Sequence, residues 1–323
     1  MSKPKSKNKK IVASILAAVV LIISAIFTFG SKNQWKTLIA YTDDETASAV
    51  SVQSSEAAKQ NLSVHYIDVD QGDSTLICFG EYHILIDCAK KAYADNVYSY
   101  LDSLEIDKLD MVIATHPDSD HIGGFADLLY KIKPDLYVLP QMSADIKKTQ
   151  TELTLLNTLK TLKVKTEYAV NEKVYTFGDM KLTTFITEKP QTDKNEYSVV
   201  TKVEYKNASY LFMGDAGKTV EKEFIEHKYP LKSDILKAGH HGSSKSSSSK
   251  FIKYVKPRYC VFSCGLDNDY GHPHSEVLQI MKKQKIDYFR TDLQGTIIIG
   301  TDGNRYYTAT EKNMYTATEK NNT

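Results

Sequence analysis

Residues 114–124 read ATHPDSDHIGG, two histidines and two aspartates within the six positions from His116 to His121, directly after the apolar run Met111-Val112-Ile113-Ala114. A turn that needs only solubility is built from Lys, Glu, Ser and Asn. Imidazoles and carboxylates crowded at this spacing are instead a donor set for divalent cations, zinc or, because the set is rich in carboxylates, manganese. The bland alternative is a solvated turn. Continuous apolarity over 109–114 reads as a strand covered on both faces, and α/β proteins place their chemistry at the C-terminal ends of such strands. If the strand continues, alternation puts side chains 116, 118 and 120 on one side, and the loop turns His121 back toward them.

Working outward, the β-type runs 62–69, 74–79 and 82–87 are separated by Asp70-Gln71-Gly72-Asp73 and by Gly80-Glu81, the signature of consecutive antiparallel strands. A helix is expected over 92–104. Beyond the quoted segment a helix opens at Gly124, and further helices near 145–160, 217–227, 246–254 and 275–284 alternate with strands near 135–139, 173–178, 181–187, 197–205, 208–213, 233–237, 258–262, 286–290 and 296–300. So many strands with interspersed helices imply an α/β (α+β) domain over 61–302, two sheets between helical layers. The tail 303–323 holds the near-repeat YTATEKNM and YTATEKNN, polar and without a core-forming face.

Two further strand ends carry the same kind of residue. YLFMGDAG presents Asp215 and DILKAGHHGS presents His240 and His241, each followed by a glycine that permits close backbone approach. Taken singly, a Gly-Asp turn is usually only a turn former. Three such ends in one chain point to one site.

The set HPDSDHIGG, QGDSTLI (71–77), LID (85–87), MGDA (213–216), LKAGHHGS (236–243) and DNDYGHPHSEV (267–277) resembles the metallo-β-lactamase superfamily, with its HxHxDH signature in an HxDxDH form, and within it the extracytoplasmic hydrolase domain of ComEC-type competence proteins. The resemblance implies a four-layer αββα sandwich. It also implies one or two divalent ions, Zn2+ or Mn2+: His116 and Asp118 would serve one, Asp120 and His121 the other, and Asp215 would bridge them. One of His240 and His241 would complete the second site, His241 by preference, with His240 beside it contacting substrate or its own metal-bound water. Asp87 would orient ligands, and the usual third histidine of the superfamily is replaced by Asn195 or Ser198. Hydrolysis would follow from water activated between the ions, oriented by Asp120 or Asp215, with His240, His272 or His274 supplying a proton to the leaving oxygen. Ser243, Lys237, His272 and His274 are the expected substrate contacts. The implied reaction is phosphodiester cleavage of DNA, with an anionic cell-wall polymer such as a teichoic acid as the alternative substrate and a non-catalytic metal-containing binding module as the alternative function.

Composition fits. With 323 residues and 41% apolar content the chain can bury a large core. Its net charge of +1 conceals five lysines in the first ten residues, so the other 313 carry −4 and lack the basic balance of a general nucleic-acid binder. Residues 11–29 hold no charge and as a helix would reach about 28 Å, near a bilayer's hydrocarbon thickness. With lysines ahead of it, this run reads as a single membrane anchor with the catalytic domain outside the cell membrane, or as a cleaved signal that would release the domain. Residues 31–60 read as a linker. The four cysteines, Cys78, Cys88, Cys260 and Cys264, form no CxxC pair and read as buried free thiols, with a Cys78–Cys88 bridge as the oxidised alternative.

Overall fold

A computed structural model describes residues 52–312. The first half of the chain lays down β1 (Leu62–Tyr66), β2 (Thr75–Phe79), β3 (Tyr82–Ile86), β4 (Leu109–Ile113), β5 (Pro134–Leu139) and β6 (Thr166–Tyr168). The second lays down β7 (Lys173–Phe177), β8 (Met180–Phe185), β9 (Val200–Tyr205), β10 (Ala208–Phe212), β11 (Ile235–Lys237), β12 (Tyr259–Phe262) and β13 (Asp287–Arg290). The chain then returns to the first sheet with β14 (Ile297–Thr301) and β15 (Tyr306–Thr310). Sheet order is β15-β14-β1-β2-β3-β4-β5-β6 in one layer and β13-β12-β11-β10-β9-β8-β7 in the other.

The helices are α1 (Ala94–Ser103), α2 (Ser119–Ile122), α3 (Phe125–Leu128) and α4 (Gln150–Thr161), then α5 (Lys218–His227), α6 (Ser249–Val255), α7 (Ser275–Gln284) and α8 (Thr291–Gln294). α4 starts on a capping arrangement in which Thr149 Oγ1 accepts the Glu152 amide at 3.1 Å.

Strand alternation sorts side chains into three cores. Ile77, Ile84, Met111 and Ile113 face Met180, Leu182, Tyr210 and Phe212 between the sheets. Their neighbours Leu76, Leu85 and Val112 point outward onto Val97, Leu101, Phe125 and Leu155. Across the molecule Leu211, Leu236 and Cys260 point outward onto Val220, Phe224, Phe251 and Met281. Three cores separate four layers, the expected αββα order, and each fully buried large side chain contributes about 1.5–3 kcal/mol.

The leading strands β1, β2 and β3 pair antiparallel as the turn signals require. β3, β4 and β5 run parallel, as do β10 through β13. Their C-terminal ends therefore gather at one mouth of the sandwich.

Three expectations are corrected. The strand does not continue through the quoted segment: β4 ends at Ile113 and Asp120 and His121 ride on α2, so a helical turn, not strand alternation, converges the side chains. The tail is not wholly outside the fold, because its first repeat copy builds β15, paired antiparallel along β14. The domain also begins before residue 61, since Val52 and Ala57 are buried against Ile298. In addition, β6 and α8 escaped the sequence patterns. All four cysteines are free thiols, Cys78 partly and the rest fully buried. The apolar run 11–29 lies outside the described residues; among the described residues no helix is long and apolar enough to cross a membrane.

Candidate metal centre

Six chain segments end at this mouth. The β1–β2 loop brings Asp73, β3 brings Asp87, β4 and α2 bring His116, Asp118, Asp120 and His121, β10 brings Asp215, β11 brings His240 and His241, and β12 brings the Ser263 carbonyl. Two backbone features make the convergence possible. Gly214 lies at φ +53°, where a Cβ would stand 2.9 Å from Thr115 Cβ and 3.0 Å from Ser198, so only glycine delivers Asp215 this close. His240 and His241 both adopt left-handed backbone, φ 49° and 55°, a cost of about 1–3 kcal/mol each that aims both rings at Asp215.

Asp215 divides its two oxygens between two pairs of imidazoles. Oδ1 lies 3.2 Å from His121 Nε2 and 3.7 Å from His241 Nε2. Oδ2 lies 3.8 Å from His116 Nε2 and 3.6 Å from His240 Nε2. Asp120 Oδ2 is 3.4 Å from His241 Nε2, and Asp118 Oδ2 is 3.9 Å from His116 Nε2. The expected ligands are thus all brought together, and the structure brings both members of the HH pair rather than one.

Hydrogen bonds on the far edges set the imidazole tautomers. His121 Nδ1 bonds Asp87 Oδ2 at 2.6 Å, and His241 Nδ1 bonds the Ser263 carbonyl at 2.9 Å. Both acceptors lack a proton to give, so each Nδ1 donates, and each Nε2 presents a lone pair once its ring is neutral, as metal ligation requires. Those two Nε2 atoms face each other at 3.3 Å. His116 Nε2 and Asp215 Oδ1 are buried without a hydrogen-bond partner.

Converging lone pairs of this kind fit a cation. A tetrahedral shell with bonds of about 2.0–2.1 Å has donor–donor edges of about 3.4 Å, close to the 3.2, 3.3 and 3.4 Å spacings among His121, His241, Asp215 and Asp120. Among the described residues the buried group Asp73, His121, Asp215 and His241 has the spacing to hold a metal ion. Within it, Asp73 faces Nδ1 edges already engaged by Asp87 and Ser263, so Asp120 is the better fourth donor. The His116, Asp118, His240 set is wider, at 3.6–3.9 Å.

Charge supports the same reading. Five carboxylates, Asp73, Asp87, Asp118, Asp120 and Asp215, meet two ammonium groups, Lys237 on Asp73 and Lys194 on Asp118. With the imidazoles neutral, the state in which they bind metal, five minus two leaves three negative charges in the cluster. Burial alone would raise the Asp215 pKa, yet the imidazoles of His121 and His241 hold it well below the usual carboxylate range. Burial disfavours a charged His121, but Asp215 and Asp87 hold its pKa well above 6.5; against the same penalty Asp215 and Asp73 hold His241 at about 9. Burial, then the adjacent His121 ring, pushes His116 down.

Other expected residues fall into two groups. Asp87 accepts the Thr115 amide at 2.8 Å and the Thr115 hydroxyl at 2.6 Å besides the His121 ring, and so supports the cluster from beneath. Ser198 Oγ accepts the Asp215 amide at 3.0 Å, and the Asn195 side-chain amide lies 3.4 Å from His240 Nδ1, so the positions that replace the superfamily's third histidine touch the centre through other residues.

Three expected substrate contacts are displaced. Lys237 is turned inward onto Asp73 and is 2% exposed. Ser243 is buried with its hydroxyl accepting the Lys245 amide at 3.3 Å, and His274 Nδ1 accepts the Ser244 amide at 2.8 Å at the start of α7. Only His272 lines the cleft, a space of about 150 Å³ shared with Gln71, Asp118, Asp120, Asn195, Asp215, His240, His241 and Tyr270. Burial and the His241 and His240 rings push the His272 pKa down to about 4, so it is neutral near pH 7.

Asp73 is the carboxylate of the cluster that sequence reasoning missed. It sits in the QGDSTLI stretch, where its neighbours Asp70 and Gly72 made it read as a turn former.

Comparison with known proteins agrees with this geometry. The model of the metallo-beta-lactamase superfamily matches residues 67–265. ComE operon protein 3 of Bacillus subtilis (strain 168) is 33% identical over 199 residues, 61% of this chain and 25% of that protein. Competence protein ComA of Neisseria gonorrhoeae is 29% identical over 256 residues, 76% of this chain and 33% of that protein. The chain therefore spans a quarter to a third of the length of these relatives. CmlA, a diiron beta-hydroxylase from Streptomyces venezuelae, shares the fold at a TM-score of 0.50 and 11% identity, over 72% of this chain and 53% of that one. With more than half its length matched to the superfamily model and a buried group able to hold metal at the strand ends, the chain belongs to the metallo-beta-lactamase superfamily of metallo-hydrolases.

Proposed function

We propose that the chain is a phosphodiesterase working with two divalent cations, manganese or zinc, on a nucleic-acid backbone outside the membrane. The observation that carries this reading is the division of Asp215 between the His121–His241 pair on Oδ1 and the His116–His240 pair on Oδ2. Asp120, His121 and His241 would hold one cation, His116, Asp118 and His240 the other, with Asp215 shared. Such cations lower the pKa of water and neutralise charge on a phosphoryl group.

The chain's own residues do the rest. Asp87 and the Ser263 carbonyl lock the two Nδ1–H tautomers. Asp120, 22% exposed on the cleft, is placed to accept a proton from the attacking water. Neutral His272 lines the cleft beside His240 and His241, where its ring would face the substrate. Tyr270 stacks on His272, ring centroids 5.5 Å apart and planes 20° from parallel, and leaves its ring 62% exposed as a shelf for a planar base. A teichoic-acid-type polymer offers no such group. Residues 11–29 would tether this domain to the membrane, and the competence relatives support a membrane-associated role.

The test is to strip the protein of metal, restore manganese or zinc, and measure hydrolysis of bis-p-nitrophenyl phosphate, single-stranded DNA, a teichoic acid and nitrocefin. Metal-dependent phosphodiester turnover abolished by Asp120→Asn supports the reading. Bound metal with no turnover of any of them replaces it with a binding module.

A further inference from the structure

The metal reading leaves one buried charged pair without a task. Asp73 closes the β1–β2 loop with its carboxylate oxygens 3.4 Å from His241 Nδ1 and 3.8 Å from His121 Nδ1. Neither ring bonds to it as its main partner, since Asp87 and the Ser263 carbonyl hold those edges at 2.6 and 2.9 Å. Its partner is the Lys237 ammonium on β11, 164 residues away in sequence. The two side chains are 5% and 2% exposed.

Backbone contacts fix the carboxylate in place. The Asp73 amide donates to the Asp120 carbonyl at 3.0 Å, and the Asp73 carbonyl accepts the Ala89 amide at 2.8 Å. A Cβ on the preceding Gly72 would lie 2.6 Å from that same Asp120 carbonyl oxygen, so the loop and α2 are pressed backbone to backbone.

A buried ion pair is not a cheap way to fill a core. Desolvation costs several kcal/mol per ion, and an apolar pair of similar volume is often as stable or more so. This pair also lies against the two rings whose Nε2 atoms face the cation position, and its two charges act on a cation there with opposite sign. We propose that Asp73 and Lys237 are positioning residues that regulate cation affinity at the His121–His241 site: Asp73 strengthens binding from behind the rings, and Lys237 opposes it and keeps Asp73 from becoming a ligand. The proposal rests on the reading of this cluster as a metal centre.

A pair with only a structural role would respond alike to loss of either end. The regulator responds with opposite signs. The experiment is calorimetric titration of Mn2+ and of Zn2+ into the metal-stripped full-length chain, wild type, Asp73→Asn, Lys237→Met and the double variant, with thermal unfolding of each metal-free protein alongside. Asp73→Asn strands an ammonium near the site and is expected to weaken binding about 10–100-fold, the range for residues that orient metal ligands. Lys237→Met is expected to tighten binding about tenfold or more, by the same scale. Both lower the metal-free unfolding temperature, because each leaves a buried charge alone. The double variant is expected within a few-fold of wild type.

Same-direction shifts in the two single variants, or unchanged affinity in both, overturn the proposal. If Lys237→Met does not fold, the double variant decides: near-wild-type affinity supports the proposal, and a loss as large as that of Asp73→Asn overturns it. A wild-type protein that takes up neither ion overturns the metal centre and this proposal with it, whereas normal uptake with same-sign variants overturns the pair's role alone.

Discussion

Asp87→Asn isolates the support beneath the metal centre from the centre itself. The carboxylate accepts three hydrogen bonds, from the Thr115 amide, the Thr115 hydroxyl and His121 Nδ1, at 2.8, 2.6 and 2.6 Å. An asparagine of the same shape keeps the first through its carbonyl oxygen but places an NH2 where Oδ2 stood. Two bonds to a charged acceptor, about 1.5–3 kcal/mol each, are then replaced by neutral bonds of about 0.5–1.5 kcal/mol. A net loss of about 2–3 kcal/mol in stability follows from that difference. The amide also forces His121 Nδ1 to accept, so its proton moves to Nε2 and points at Asp215 Oδ1, where the lone pair was. One donor to the cation is lost, and affinity should fall about 10–100-fold, or about 1.4–2.8 kcal/mol. Titration calorimetry reads the affinity, and ring nitrogen chemical shifts of His121 read the tautomer. Affinity within about threefold of wild type, or an Nδ1–H tautomer retained in the variant, would refute the reasoning.

Further outcomes are expected. Metal-stripped protein should lose stability as pH rises from 6.5 through about 9, because the raised pKa of His241 stabilises only while its ring is protonated. His121, whose pKa is also raised, adds to that loss as pH rises above 6.5, and below 3.8 the depressed Asp215 pKa reverses the trend, so stability is greatest between 3.8 and 6.5. Metal-loaded protein, which uses neutral imidazoles, should show a flatter profile in thermal melts across the same range. Gly214→Ala should cost about 1–2 kcal/mol for its left-handed backbone plus the clash at 2.9 Å with Thr115, read by urea unfolding. Tyr270→Ala should raise KM for single-stranded DNA while leaving bis-p-nitrophenyl phosphate turnover and unfolding temperature unchanged; equal effects on both substrates would remove the stacking role.

The layered fold was legible because each layer writes a local pattern. Alternation at Leu76-Ile77 or Tyr210-Leu211-Phe212 already separates the inner core from the outer ones. The ligands were legible where acids and histidines cluster within a few residues of an apolar run. What failed depends on contacts remote in sequence. Asp73 gains its meaning only from Lys237, and Lys237 read as a substrate contact because a strand-end lysine gives no hint that it folds inward. β15 carries no clean alternation, being partly buried along most of its length, so its strand character shows only once β14 is beside it. His274 and Ser243 lie in the right loops, but the Ser244 and Lys245 amides claimed their polar atoms first.

One consequence of β15 concerns how this unit is wired into proteins. Val52 and Ala57 pack against Ile298, with Tyr307 and Ala309 beside them, so the way in and the way out share a single strip at the margin of the first sheet. None of the cluster's aspartates or histidines sits on β14 or β15. A module hinged at one margin like this can be spliced into a larger polypeptide, or hung from a leader, without rebuilding its chemistry, which suits a fold that matches only a fraction of the length of its competence relatives.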